Sequence, residues 1–116
     1  MTVMRGDIVL VNFPMTDGAF KRRPALVVQS DHNNPRLSNS IFAKITSNTR
    51  GGFEATQVLI DVATPLGHQS NLRQTSVVKC ENIYTLPASA LKKIGSLPAQ
   101  LMQLVDEGLK RSLGLS

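Results

Sequence analysis

Apolar and polar positions alternate in short blocks along most of this chain, and the period turns helical only near residue 97. Asp7–Phe13 is short, apolar and rich in β-branched residues, which predicts a strand. Its unbroken Ile8-Val9-Leu10-Val11 run predicts burial on both faces, as in a small barrel or packed sheet. Pro14 ends that strand, because proline has no N–H to give a ladder. Met15–Arg22 reads as a loop turning at Asp17-Gly18. Arg23–Gln29 predicts a second strand, with Pro24 tolerable only near its start or at an edge. A guanidinium, Arg23, is thereby expected at a strand entrance, after the further cations Lys21 and Arg22.

Ser30–Arg36 holds Asp31, Asn33, Asn34 and Pro35, a loop signature. Ser40–Thr46 predicts a third strand, with Ile41, Ala43 and Ile45 on one face and Phe42, Lys44 and Thr46 on the other. Ser47–Phe53 is polar with Gly51-Gly52 and is expected to be mobile. Thr56–Asp61 predicts a fourth strand, and Val62–Leu72 a long loop. Thr75–Cys80 and Ile83–Leu86 are strands, either one bent strand or a pair. Leu97, Leu101, Leu104, Val105 and Leu109 then recur at helical spacing. Ser96 can cap that helix, Pro98 suits its first turn, Lys110 and Arg111 suit its negative end, and Gly114 can stop it. Its apolar stripe reads as core or dimer packing. Five or six short strands followed by one amphipathic helix predict a single mainly β domain over 1–116, a compact barrel or sandwich.

The 116 residues allow one modest core. Thirteen Lys+Arg against eight Asp+Glu leave a net charge of +5, which favours polyanionic partners. With no Trp and one Tyr, aromatic platforms for stacking bases are scarce. Cys80 is alone, so no internal disulfide forms and a reducing cytoplasm is expected. His32 and His68 are isolated, which excludes zinc-type Cys/His spacing. No apolar run approaches the length of a membrane span, so no membrane partner is expected.

Motifs for serine hydrolysis, P-loop phosphate binding and zinc proteolysis are missing. An enzyme here has to work without an obvious metal and without paired histidines. RNA cleavage meets that condition, because the substrate carries its own nucleophile, the 2′-hydroxyl. The protein then supplies proton transfer and cations for the charge on phosphorus. Arg22 and Arg23 offer forked donors for phosphate oxygens, and Thr46 offers a hydroxyl at its strand end. Lys79 and Glu81 share a face of an extended strand, placing a cation beside a carboxylate.

Together these blocks resemble the MazF/PemK/Kid family of toxin endoribonucleases. The resemblance runs through Arg5-Gly6-Asp7-Ile8-Val9-Leu10-Val11, Arg23-Pro24-Ala25-Leu26-Val27-Val28, Ala43-Lys44-Ile45-Thr46-Ser47 and Ser76-Val77-Val78-Lys79-Cys80-Glu81-Asn82-Ile83-Tyr84-Thr85-Leu86, in that order. It implies an SH3-like β-barrel of five to seven strands with a C-terminal helix, and a homodimer. It also implies metal-independent, sequence-selective cleavage of single-stranded RNA to 2′,3′-cyclic phosphate and 5′-hydroxyl ends, with no cofactor. The implied regulator is an antitoxin with an acidic tail. Carried onto this chain, the resemblance makes Arg23 the phosphorane-stabilising residue and Thr46 the phosphate-binding one. It makes Glu81 the base and Lys79 the acid. RNA contacts are expected from Lys21, Arg22, Lys44, Ser47, Arg50, Arg73, Ser76 and Asn82. The loop before Arg-Pro departs from the family pattern: Gly18-Ala19-Phe20-Lys21 carries no histidine or glutamate. Two other functions fit such a barrel. One is a topoisomerase poison of the CcdB type, which the absent Trp and the Leu113-Gly114-Leu115-Ser116 ending disfavour. The other is a non-catalytic module binding nucleic acid or peptide.

Overall fold

The two-sided burial predicted for the first strand governs the architecture. The computed structural model describes residues 2–49 and 54–116. Its elements are β1 (Asp7–Pro14), β2 (Phe20–Val27), β3 (Asn39–Thr46), β4 (Gln57–Ile60), α1 (Pro65–His68), β5 (Ser76–Pro87), β6 (Lys92–Ser96) and α2 (Ala99–Leu113). The six strands form one sheet in the order β4-β5-β3-β2-β1-β6, every pair antiparallel. Alternate residues enter two different cores. Ile8, Leu26, Ala43, Ile45 and Val78 join Leu97, Leu101 and Val105 of the helical end. Val9, Val11, Phe13, Ala25, Val27 and Phe42 form the second cluster with Tyr84 and Leu86. Each fully buried aliphatic side chain contributes roughly 1.5–3 kcal/mol relative to exposure.

The expected mainly β fold with a C-terminal helix is what the chain adopts, with one qualification. The sheet is curled, and among the described residues its edges β4 and β6 do not pair. The segment around α1 fills the gap between them. A Cβ on Gly67 would lie 1.8 Å from the Asp61 carbonyl oxygen, just past β4. A Cβ on Gly95, in β6, would lie 2.0 Å from the Ser70 carbonyl oxygen. Asn71 Nδ2 donates to the Ile94 carbonyl at 2.8 Å. The edges are joined by a close-packed loop because two glycines let backbone meet backbone.

Several local expectations change. β2 starts at Phe20, so Lys21 and Arg22 are strand residues and Arg23 is the fourth residue of the strand. The cause is the tight hairpin. Pro14 pairs with Phe20 across a turn in which Met15 N–H donates to the Ala19 carbonyl. β5 is one strand, bent where its register with β3 jumps from Ile83 opposite Ala43 to Lys79 opposite Lys44. α1 and β6 lie in segments read as loop or left unassigned. Ser96 pairs with Asp7 at the end of β6 and does not cap α2, whose N-cap is Pro98. Leu104 is exposed, whereas Leu101 and Val105 are buried. Gly114 stops α2 in the left-handed conformation, as its sequence position predicts. Arg5 ties the start of the described chain to α2 through Asp106 at 2.6 Å, and its Nε donates to the Val28 carbonyl.

Candidate nucleic-acid groove

The groove opens where β2 leaves β3. Their ladder covers only Ala25–Val27 against Phe42–Lys44 and ends beside Pro24, which has no N–H to extend it. β2 continues on β1 alone, with Arg23 opposite Val11. Ala25 faces Lys44 across the strands. Two residues beyond that pair on each strand come Arg23 and Thr46, on the same face as Ala25 and Lys44 because side chains two apart share a face. Arg23, Lys44 and Thr46 all line an open groove of about 1000 Å³, with Ser47, Arg73 and Ser76. Thr46 Oγ1 accepts from the Asn48 N–H at 3.1 Å. That bond fixes the oxygen and leaves the hydroxyl proton to donate. Ser76 Oγ donates to the Gln74 carbonyl at 2.8 Å, which commits its proton to the groove wall.

The lining contains five cations, Arg23, Lys44, Arg73, Lys92 and Lys93, and among the described residues no carboxylate. Lys93 pairs with Asp7 at 3.1 Å. Arg23, Lys44, Arg73 and Lys92 form no salt bridge within the described residues, so their charges face the groove uncompensated. Such a surface attracts a polyanion. Sequence reasoning missed Lys92, Lys93 and Tyr84 as groove residues. The two lysines arrive through pairing of β6 with β1, where Lys92 stands opposite Leu10. The Leu91-Lys92-Lys93-Ile94 pattern was the available signal for that strand. Tyr84 lines the groove with its ring edge-on to Phe13, centroids 4.9 Å apart at 70°.

Other expected contacts lie elsewhere. Lys21 and Arg22 stand opposite Phe13 and Asn12, further out along the hairpin, and do not line the groove. Alternation sends Arg22 to the face opposite Arg23. Lys79, opposite Lys44 and Gln57, sits one strand away from the groove lining. Asn82 falls in the stretch of β5 that skips pairing with β3. Arg50 lies outside the described residues, as does most of the polar segment expected to be mobile. Glu81 is turned toward β4: its carboxylate accepts from Gln57 Nε2 at 2.8 Å and Thr56 Oγ1 at 3.2 Å. Partial burial would raise its pKa, but these bonds, a backbone N–H and the charge of Lys79 outweigh that and hold it below the usual value. A carboxylate so engaged is a weak base. The structure thus brings Arg23, Lys44, Thr46, Ser47, Arg73 and Ser76 together and leaves Lys79 and Glu81 beside the groove. Among the described residues no cluster of His, Cys, Asp and Glu could hold a metal ion.

A family model described as PemK-like, MazF-like toxin of type II toxin–antitoxin system matches residues 4–113. Endoribonuclease MazF6 of Mycobacterium tuberculosis (strain ATCC 25618 / H37Rv) is 38% identical over 119 residues, covering 99% of this chain and 100% of that protein. Endoribonuclease EndoA of Bacillus subtilis (strain 168) is 32% identical over 118 residues, covering 99% and 97%. Among solved structures, the Mycobacterium tuberculosis toxin MazF-mt6 superposes with a TM-score of 0.75 at 31% identity, covering 95% of this chain and 98% of that one. An endoribonuclease from a mycobacterial species, solved in complex with its cognate antitoxin, superposes with a TM-score of 0.79 at 22% identity, covering 98% and 97%. That second likeness bears on the fold alone.

Proposed function

The chain belongs to the PemK-like, MazF-like toxins of type II toxin–antitoxin systems and is an endoribonuclease of that family; from this premise we propose that it cuts single-stranded RNA in the groove between β2, β3 and β6, without a metal. The observation that carries this reading is the row of Arg23, Lys44 and Thr46 on one face, in a groove whose described lining is cationic and free of carboxylates. The groove takes the RNA backbone through charge. Thr46 donates its free proton to a non-bridging oxygen of the scissile phosphate. Arg23 supplies two parallel N–H donors to the oxygens that gain charge as the 2′-oxygen attacks phosphorus. The new P–O2′ bond forms as the P–O5′ bond breaks, giving a 2′,3′-cyclic phosphate and a 5′-hydroxyl. The 2′-hydroxyl proton leaves to solvent in the open groove, and the departing 5′-oxygen takes one up.

Glu81 has no part in proton transfer here, because its two oxygens accept from Thr56 and Gln57. Lys79 adds positive potential beside Lys44. The same uncompensated cations suit the acidic tail of an antitoxin, which would block RNA by occupying its place. The active form is a homodimer in the cytoplasm, where the lone Cys80 stays reduced. Among the described residues no helix is long and apolar enough to cross a membrane.

The test is cleavage of mixed-sequence RNA in excess EDTA, with end-group analysis of the products. Wild-type protein leaves cyclic phosphate ends. Arg23→Ala and Thr46→Ala each lower kcat by at least about 100-fold, the weight of a transition-state donor. A strict requirement for a divalent metal, or full activity in both variants, overturns the proposal. Glu81→Gln retains kcat within about threefold, less than general-base loss would cost.

A further inference from the structure

We infer that Tyr84 is a substrate-positioning residue that stacks against a base flanking the scissile phosphate; this rests on the RNA-cutting reading above. A phosphate-only groove needs cations and small hydroxyls, and the large aromatic ring of Tyr84 adds nothing to such a groove. It is nevertheless held in the lining, half-buried, with its ring fixed edge-on by Phe13 at 4.9 Å. A T-shaped contact with one ring leaves part of the tyrosine's aromatic surface uncovered by that ring. Among the described residues its hydroxyl has no hydrogen-bond partner, so nothing in the fold requires a tyrosine rather than a phenylalanine.

Register places the ring. Tyr84 stands opposite Phe42. Phe42, Lys44 and Thr46 alternate onto the same face, so Tyr84 lies along the row that ends at Thr46 and Arg23. Four residues of extended strand separate the Phe42 and Thr46 positions, about 13 Å. That distance is too long for the ring to meet the scissile phosphate itself. It suits a neighbouring nucleotide whose backbone runs over Lys44. An aromatic ring in a groove lined by unpaired cations is how proteins hold single-stranded bases.

The chain carries its own probe. Tyr84 is its one tyrosine and it has no tryptophan, so intrinsic fluorescence reports on this side chain alone. The experiment titrates the whole protein with a mixed-sequence, fully 2′-O-methylated oligonucleotide, which cannot be cleaved, and with an abasic strand of equal length. Binding is followed independently by the anisotropy of a dye on the strand. Strong quenching by the base-bearing strand, with little by the abasic strand, is the expected result. Bound base-bearing strand with unchanged tyrosine emission, or equal quenching by both strands, overturns the inference and leaves the RNA-cutting reading intact. Failure of either strand to bind, together with no cleavage of ordinary RNA, overturns both. In cleavage assays Tyr84→Leu raises KM about tenfold, the weight of one base–aromatic stack, with kcat within about threefold. Tyr84→Phe keeps KM near wild type. Equal KM for wild type and Tyr84→Leu also overturns the inference.

Discussion

Replacing Gly95 by alanine perturbs the wall of the groove at a point where backbone meets backbone. The added Cβ would sit 2.0 Å from the Ser70 carbonyl oxygen, 3.1 Å from its carbonyl carbon and 3.2 Å from Asn71 Cβ. Two of those atoms are backbone, so no rotamer change relieves the clash. To reach ordinary contact, β6 and the loop after α1 must part by roughly 1.4 Å at that point. The Asn71–Ile94 hydrogen bond, now 2.8 Å, then opens beyond bonding distance. Overpacking of this kind costs about 1–3 kcal/mol, and the lost bond about 1 kcal/mol more. The expected total, about 2–4 kcal/mol, is a large share of the ~5–15 kcal/mol that holds a typical domain. Urea unfolding followed by circular dichroism measures it, and thermal unfolding should fall by roughly 10 °C. Gly114→Ala is the control. It has the left-handed φ of 71° but no heavy atom within 4 Å of a new Cβ, so it costs only the conformational penalty of about 1–2 kcal/mol. A Gly95→Ala loss no larger than that of Gly114→Ala refutes the close packing of β6 on the α1 loop. The same variant should weaken RNA binding, because Asn71–Arg73 and Lys92–Ile94 are groove walls on the two sides of that contact.

Lys44→Ala and Lys92→Ala should each lower the slope of log K against log salt for single-stranded RNA by about 0.7, one phosphate contact apiece; unchanged slopes remove those lysines from the backbone track. Glu81 titrates below its ordinary 4.5, so the stability it contributes is present above that value and is lost as pH falls through its lower folded value. Comparison of acid unfolding in wild type and Glu81→Gln checks the sign, with the variant showing the flatter profile as pH falls below that ordinary value. Burial, then the charges of Glu81 and Asp106, pushes the Cys80 thiol up to about 11 from 9.0. Iodoacetamide should therefore label native protein negligibly at pH 8 and label it fully in urea, and fast native labelling contradicts the burial of Cys80 under Val105 and Gly108.

The parts of the fold legible in the sequence are those where side-chain chemistry and tertiary environment agree. Ile8–Val11 is apolar on both faces because both faces are buried, and Gly114 stops α2 because the chain turns left-handed there. The start of β2 was not legible. Phe20–Arg23 is exposed strand held by β1 alone, so no apolar alternation marks it, and three cations in a row read as loop. β6 was hidden for a related reason. It is an edge strand reading Lys-Lys-Ile-Gly-Ser, and its Gly95 is small because Ser70 presses on it, a constraint visible only in three dimensions. In the site, Arg23 and Thr46 are marked by motif and strand end, and both line the groove. Lys79 and Glu81 are close enough for the lysine's charge to hold the carboxyl down. The sequence hides the hydrogen bonds from Thr56 and Gln57 to Glu81, because those residues reach β5 only through the pairing of β4.

The pairing of Asp7 with Ser96 joins positions separated by most of the sequence. It gives the groove a late birth. Arg23, Lys44 and Thr46 leave the ribosome early, but Lys92, Lys93 and the β6 backbone that braces Asn71 come only after the other five strands have been made. Until then, and until Asp106 reaches Arg5, the strand that completes the cationic wall is missing. A nuclease assembled in this order cannot present its finished RNA track while translation of its own message is still reading the earlier strands, so the timing of its danger is written into its strand order.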